Sequence, residues 1–99
     1  MTTINATAKG EYTYDIILKG DAMFRVSAFD MLSAIDLMAD YIESHELTNL
    51  YIDAYTMKVM AECSKYQTAE AYANAFGLIK CGTNGIYIEI TNIKGCPNG

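Results

Sequence analysis

The sequence lacks most of the residues and segments that would indicate a specific chemistry. It has no tryptophan, one proline and one histidine. No apolar stretch approaches the ~18 residues that a membrane-spanning helix needs, and the first residues lack the basic and apolar regions of a signal peptide. Residues 82–85 contain two glycines but precede neither a helix nor a Lys-Ser/Thr pair, so they do not predict a phosphate-binding loop. These absences favour a cytoplasmic protein that neither spans a membrane nor binds a nucleotide.

Cysteine and histidine do not form a recognisable motif. The three cysteines are an odd number without a CxxC spacing, which indicates reduced thiols rather than a disulfide framework. His45 is the only histidine and is predicted near the end of a helix, where its partial positive charge is favourable. The alternative is a nucleophilic pair of Cys63 or Cys81 with His45. We predict no catalytic residue, no metal and no cofactor, and a protein that is not an enzyme.

Basic residues are absent from a long acidic part of the chain. The formal net charge is −5, and no lysine or arginine occurs between Arg25 and Lys58. The acids in that interval are Asp30, Asp36, Asp40, Glu43, Glu46 and Asp53. Such a stretch predicts a surface that repels nucleic acid and attracts basic proteins, because no cationic patch is present to displace the counterions of a phosphate backbone. The competing interpretation is an acidic face that only keeps the protein soluble.

Size and composition predict one folded domain. The chain has 99 residues, of which 52% are hydrophobic and 19% charged, and this composition is too apolar for a disordered protein. Residues 1–9 and 95–99 are rich in small, polar or turn-forming types, and we expect flexible ends there.

The first half of the chain predicts a hairpin and a helix. Residues 11–19 and 23–28 alternate between two faces around a turn at Gly20, which predicts two antiparallel strands. Residues 30–44 predict a helix. Either Asp30 caps its first turn, or Ser27 and Asp30 form a capping box one turn earlier. The apolar side of this helix is Met31, Ala34, Ile35, Met38, Tyr41 and Ile42, and the acidic side is Asp36, Asp40 and Glu43, with Leu32 and Leu37 beside it.

A third strand and an ambiguous segment follow. Residues 50–54 predict a strand that presents Tyr51, Asp53 and Tyr55 on one face. Residues 56–63 fit both the strand period and the helix period; we favour a strand as far as Met60 and keep a helix as the alternative.

The end of the chain predicts a short helix and a second hairpin. Thr68 caps the helix, which runs to residue 76 and ends at Gly77. Residues 78–81 and 86–91 flank an Asn84-Gly85 turn. The element order β-β-α-β-α-β(β) favours an α+β domain with a mostly antiparallel, three- to five-stranded sheet and two helices packed on one face.

These features predict a small acidic protein-binding module. Its carboxylates would replace phosphates on a basic, nucleic-acid-binding surface of a bacterial enzyme, while leucine and tyrosine side chains would be apolar anchors. The predicted partner-binding residues are Asp36, Asp40, Glu43, Glu46, Asp53, Leu32, Leu37, Tyr51 and Tyr55. In general character, across the chain and without a diagnostic motif, the protein resembles phage or mobile-element inhibitors of host nucleases, anti-CRISPR proteins among them. The resemblance implies an inhibitor that binds a protein rather than nucleic acid or a membrane.

Two other functions fit the composition. A structural or assembly protein would form a homodimer through a Tyr-rich sheet face or an edge strand, for which the eight tyrosines are suited. A small-ligand-binding protein would use a pocket between sheet and helices, lined by Met, Tyr and Cys63.

Overall fold

One sheet with helices on both of its faces forms the fold. The computed structural model describes residues 2–6, 11–20 and 22–98. Its strands are β1 (Thr2–Ala6), β2 (Tyr12–Leu18), β3 (Ala22–Ala28), β4 (Leu78–Cys81) and β5 (Ile86–Pro97), and its helices are α1 (Met31–Ser44), α2 (Ala54–Cys63) and α3 (Ala69–Phe76). The strand order is β1-β3-β2-β5-β4, and every neighbouring pair is antiparallel except β1 with β3. The predicted α+β domain with a mostly antiparallel sheet is confirmed.

β2 and β3 form the predicted hairpin at the centre of the sheet. Ile16 lies opposite Phe24, and both side chains are fully buried on one face. The turn includes Gly20 with a φ of 86°, a conformation that glycine adopts without steric cost. On the other face, Arg25 Nε donates a hydrogen bond to Asp15 Oδ1 at 2.8 Å. The alternation of apolar and polar residues in β2 and β3 therefore decides which of their two faces packs against the first helix.

α1 packs on the face that carries Ile16 and Phe24. The helix begins after Asp30, whose Oδ1 accepts a hydrogen bond from the Ser33 N–H at 2.7 Å. Its buried residues are Ala34, Ile35, Met38, Ala39 and Ile42. Together with side chains of β2 to β5 they form the larger hydrophobic cluster, which we call the main core. The predicted cap and apolar stripe of this helix therefore position it on the sheet.

A smaller core lies on the opposite face. Ile86 and Ile88 of β5 belong to the main core, whereas Tyr87 between them points to the other side of the sheet. The buried residues of the smaller core are Met57, Ala61, Tyr72, Ala73 and Tyr87. The structure thus differs from the expected packing of two helices on one face, because a third helix forms and Tyr87 gives the second face an apolar contact for α2 and α3.

Residues 54–63 form helix α2, which was the alternative to the favoured strand. Asp53 Oδ1 accepts a hydrogen bond from the Thr56 N–H at 2.7 Å and thereby caps the first turn. Met57 and Ala61, one helical turn apart, are both buried. Of the predicted third strand, only Ile52 pairs with the sheet, through two backbone hydrogen bonds to Tyr87 at 2.8 and 2.9 Å.

The last elements follow the prediction closely, and the final strand is longer than expected. Thr68 Oγ1 accepts from the Ala71 N–H at 3.0 Å at the start of α3, and Gly77 ends the helix with a φ of 72°. β5 continues to Pro97 because its second half pairs with β2. Residues 2–6 and 95–97 are thus in strands, whereas residues 1, 7–9 and 99 lie outside the described residues, so flexible ends stay a prediction. Among the described helices, none is long and apolar enough to cross a membrane.

Candidate protein-binding surface

Three carboxylates lie in a row on the solvent side of α1. Asp36, Asp40 and Glu43 are spaced by four and three residues, which places them along one face of the helix, opposite its buried residues. We call these three residues the acidic ridge. Asp36 and Asp40 are exposed and Glu43 is half-exposed, as expected for the polar side of the helix.

The turn between β4 and β5 packs against the acidic ridge and donates one hydrogen bond to each carboxylate. The three bonds are Gly82 N–H to Asp36 Oδ1 at 3.3 Å, Thr83 Oγ1 to Asp40 Oδ1 at 3.4 Å and Asn84 Nδ2 to Glu43 Oε1 at 2.6 Å. Neutral donors therefore stabilise carboxylates that would otherwise only repel one another. The sequence interpretation missed these bonds because each joins residues 41 to 46 positions apart.

The fit between the turn and α1 requires glycine at residue 82. Gly82 has a φ of 78°, which side chains of L-residues rarely tolerate. A Cβ at this position would also lie only 3.1 Å from Ala39 Cβ on the helix. The β4–β5 turn therefore packs closely on α1, and this contact holds the acidic ridge in place.

Three basic side chains pair with acids that lie outside the acidic ridge. The ion pairs, with their N–O distances, are Lys19–Glu89 at 3.8 Å, Arg25–Asp15 at 2.8 Å and Lys80–Glu70 at 3.5 Å. In the part of the chain that the structure describes, no ion pair reaches the acidic ridge. The negative charge of the ridge is therefore left without a cationic partner there.

Cys81 is buried next to the ridge, and His45 closes the helix that carries it. Burial, with a further contribution from the charges of Asp36 and Asp40, raises the pKa of the Cys81 thiol to about 12. A thiol with this pKa is protonated at neutral pH and is a poor nucleophile. The His45 ring stacks on Tyr41 with ring centroids 3.8 Å apart, and its Nδ1 lies 2.9 Å from the Tyr41 carbonyl oxygen. Both side chains therefore have evident structural roles.

Tyr51, Asp53 and Tyr55 do not share a strand face, which corrects the prediction. Tyr51 is half-buried against the main core, and Tyr55 is 77% exposed in the first turn of α2. The carboxylate of Asp53 caps α2, and its hydrogen bond from the Thr56 N–H lowers the pKa of that carboxyl group. The helix that begins at Ala54 interrupts the alternation on which the prediction depended.

The other predicted binding residues differ in exposure. Leu32 is 71% exposed and lies one helical turn before Asp36, on the same side of α1. Leu37 packs against the main core and is only partly buried. Glu46 is exposed beyond the end of the helix, with a φ of 54°. The structure therefore brings Leu32 together with the acidic ridge on one helix face and leaves the other predicted residues outside it.

An exposed apolar cluster lies at the start of α1. Phe29 is 70%, Met31 46% and Leu32 71% exposed, all within four consecutive residues. We call these three residues the apolar lip. Met31 was expected in the core, but it is the first residue of α1 and no preceding helical turn covers it. Isolated exposed apolar residues are ordinary, whereas a cluster of them is typical of an interaction surface.

A cleft of about 350 Å³ lies between α2, α3 and β4. Charged side chains of both signs line it, among them Lys58, Lys80, Glu62 and Glu70. Methionine and Cys63, which the small-ligand interpretation invoked, do not line this cleft. Among the described residues, no group of three or more His, Cys, Asp or Glu side chains is arranged to hold a metal ion.

Comparisons with known proteins do not assign this surface. The chain matches no protein-family profile, no curated protein and no solved structure. The features of the molecule that bear on function are the acidic ridge, the turn that holds it and the apolar lip beside it.

Proposed function

We propose that the protein is a small acidic binding module that occupies a basic surface of a partner protein through the acidic ridge. The proposal is carried by one observation: three carboxylates, fixed by neutral donors from the β4–β5 turn, have no cationic partner in the described part of the chain. Mutual repulsion of the carboxylates is a cost that a cationic partner would relieve.

Preorganisation by the turn supports the proposal. Each carboxylate uses an oxygen to accept a bond from the turn, and the bond restricts the side chain before any partner arrives. A charged group that is already ordered loses less conformational entropy on binding than a free one. The ridge therefore offers a basic partner a fixed pattern of charge at a reduced entropic cost.

The spacing of the ridge supports a nucleic-acid-binding surface as its target. At a rise of 1.5 Å per residue, the three charges extend over roughly 10 Å of the helix. One strand of duplex DNA carries about one charge per 3.4 Å of the helix axis, so the ridge has roughly two thirds of that linear charge density. The proposed partner is therefore a nucleic-acid-processing enzyme of a bacterium, and the proposed role is inhibition of the phage or mobile-element type, as in anti-CRISPR proteins.

A capture experiment with isosteric variants tests this function. The protein is immobilised as bait in a bacterial lysate at about 50 mM and about 500 mM salt, which changes the screening of exposed charges strongly. The test variant is Asp36→Asn with Asp40→Asn, because an amide oxygen still accepts from the turn while the charge is removed. The control is Glu11→Gln with Glu62→Gln, which removes the same amount of charge from other exposed positions.

The expected result is one nucleic-acid-binding enzyme that wild type and control retain at low salt and release at high salt. The ridge variant should bind it at least ~10-fold more weakly, and wild type should compete with nucleic acid for the purified enzyme. Equal retention by the ridge variant and the control would refute the proposal, as would an enzyme whose nucleic acid binding does not change.

Self-assembly is a separate proposal, and the placement of the tyrosines gives no support to one of its two predicted routes. Tyr12 and Tyr14 share a face with Ile16, whereas Tyr87 points to the opposite face and is buried, so the tyrosines do not form one exposed sheet face. The second half of β5 keeps an unpaired outer edge, because β4 pairs only with residues 86–89. Lys94 and Pro97 lie in that half, and both residue types discourage edge-to-edge pairing. A stable dimer in sedimentation measurements would support self-assembly.

A further inference from the structure

The apolar lip and the acidic ridge together describe a surface with two chemical parts. Leu32 continues the line of Asp36 and Asp40 along α1, one helical turn earlier. Met31 directly precedes Leu32 and Phe29 lies three residues before it, and both are also exposed. The solvent side of α1 is therefore apolar at its beginning and anionic over the rest of its length.

A second copy of this chain does not fit the surface. A symmetric dimer through the apolar lip would bring two like faces together. Where such a dimer also paired the solvent sides of α1, the two acidic ridges would face each other, and like charges across an interface oppose association. Charge complementarity therefore favours a partner whose apolar contact is flanked by basic residues.

The shape of the surface favours a helix as the contacting element. Leu32, Asp36 and Asp40 are spaced by four residues and form a straight row on α1. Asp36 and Asp40 stay exposed beside the β4–β5 turn, and the exposed part of such a row packs into the grooves of a second helix. A partner helix with lysine or arginine at the same spacing would place its charges opposite the carboxylates.

We infer that the exposed face of α1 binds a cationic amphipathic helix of a partner protein, with Leu32 and Phe29 in the apolar part of the contact. This inference rests on the proposed function, because it uses the same acidic ridge. It adds that the contacting element of the partner is a helix, and that the apolar lip discriminates among basic surfaces. The acidic ridge attracts basic surfaces in general, and the apolar lip selects those with an adjoining apolar stripe.

Synthetic peptides of known composition test the inference without an identified partner. Three helical peptides are compared. Each has about 18 residues and is roughly 27 Å long, which is sufficient to cover α1. The first has a Lys/Arg face beside a Leu face, the second has serine in place of leucine, and the third has glutamate in place of the basic residues. Binding of each labelled peptide to the full-length protein is measured by fluorescence anisotropy and stopped flow at low and high salt.

The expected result is selective binding of the first peptide. Leu32→Ser should weaken that complex about 10- to 30-fold, as for an apolar anchor at an interface, mainly through faster dissociation. Asp36→Asn with Asp40→Asn should instead slow association and reduce the salt dependence. Val59→Ser is the matched control: Val59 is 39% exposed on α2, outside the lip, so its loss should leave binding unchanged.

Different outcomes overturn different parts. If Leu32→Ser and Phe29→Ser bind like wild type while the ridge variant loses affinity, the inference is refuted and the proposed function stands. If the ridge variant binds like wild type, the proposed function is refuted and the inference with it. Equal binding of the first two peptides, or an equal effect of Val59→Ser, also refutes the inference. Circular dichroism melts of each variant show whether it is folded.

Discussion

Replacing Gly82 with alanine should destabilise the protein more than the same change at other glycines with positive φ. A left-handed conformation costs an L-residue about 1–2 kcal/mol relative to glycine. At Gly82 the new Cβ would also lie 3.1 Å from Ala39 Cβ, and that contact is with a helix rather than with a flexible side chain. Overpacking of this kind costs about 1–3 kcal/mol. We therefore expect Gly82→Ala to lower the free energy of unfolding by about 2–5 kcal/mol, the sum of the two costs.

Gly77 provides the matched control for this prediction. Its φ of 72° is close to the 78° of Gly82, but nothing lies within 4 Å of a Cβ placed there. Gly77→Ala should therefore cost only the conformational part, about 1–2 kcal/mol. Urea unfolding of both variants measures the difference directly, and in a domain of this size each kcal/mol corresponds to roughly 4–8 °C in Tm.

The comparison also tests whether the turn holds the acidic ridge. An equal loss of stability at the two positions would refute the close packing of the turn on α1. If the packing is as described, Gly82→Ala should also shift the side-chain amide signals of Asn84 in NMR spectra, because its bond to Glu43 at 2.6 Å depends on that approach.

Three further predictions concern the smaller core, the α2 cap and the buried thiol. Met57→Ala should lower the free energy of unfolding by about 2–5 kcal/mol, because Met57 is fully buried, whereas Met31→Ala at a 46% exposed position should change it little; urea unfolding compares them. Asp53→Ala should destabilise the protein at neutral pH through loss of the cap. The folded-state pKa of Asp53 is lowered from its ordinary value of 3.8. The stability that wild type gains from the cap should therefore be lost as the pH falls from about 4 through the lowered pKa. Thermal melts at several pH values show whether the Tm values of wild type and Asp53→Ala become equal at low pH. Cys81 should resist thiol reagents at pH 8 in the folded protein and react in urea, since its pKa is about 12, while the two exposed cysteines should react in both states; a fast native reaction of all three would contradict its burial.

Local signals predicted most of the elements because they were unambiguous at those positions. Asp30 capped a segment with a clear helical stripe, and Thr68 and Gly77 bounded α3 on both sides. Residues 54–63 were predicted wrongly because their apolar residues fit the period of a strand as well as that of a helix. The decisive signal was the cap at Asp53, which accepts a hydrogen bond from the Thr56 N–H as Asp30 does from the Ser33 N–H.

The candidate surface was only partly readable from the sequence. Periodicity placed the three ridge carboxylates on the solvent side of α1, since that property is local. Their bonds to the 82–84 turn depend on how β4 and β5 lie beside α1, which no local pattern contains. The sequence did not predict the apolar lip for the same reason, because the exposure of Met31 depends on where α1 begins relative to the sheet.

The path of the chain around β5 suggests that the α2–α3 segment is a separable unit. The chain leaves the sheet after Ile52, which pairs with Tyr87, and returns at Leu78, which pairs with Glu89 on the other side of the same strand. Neighbouring strands are about 4.8 Å apart, so the two ends of this excursion are held roughly 10 Å from each other by the sheet itself. We therefore expect the amides of residues 54–76 to exchange with solvent through openings that leave α1 and the β4–β5 turn protected. The protein could then lose and regain a quarter of its structure while its acidic ridge stays presented to a partner.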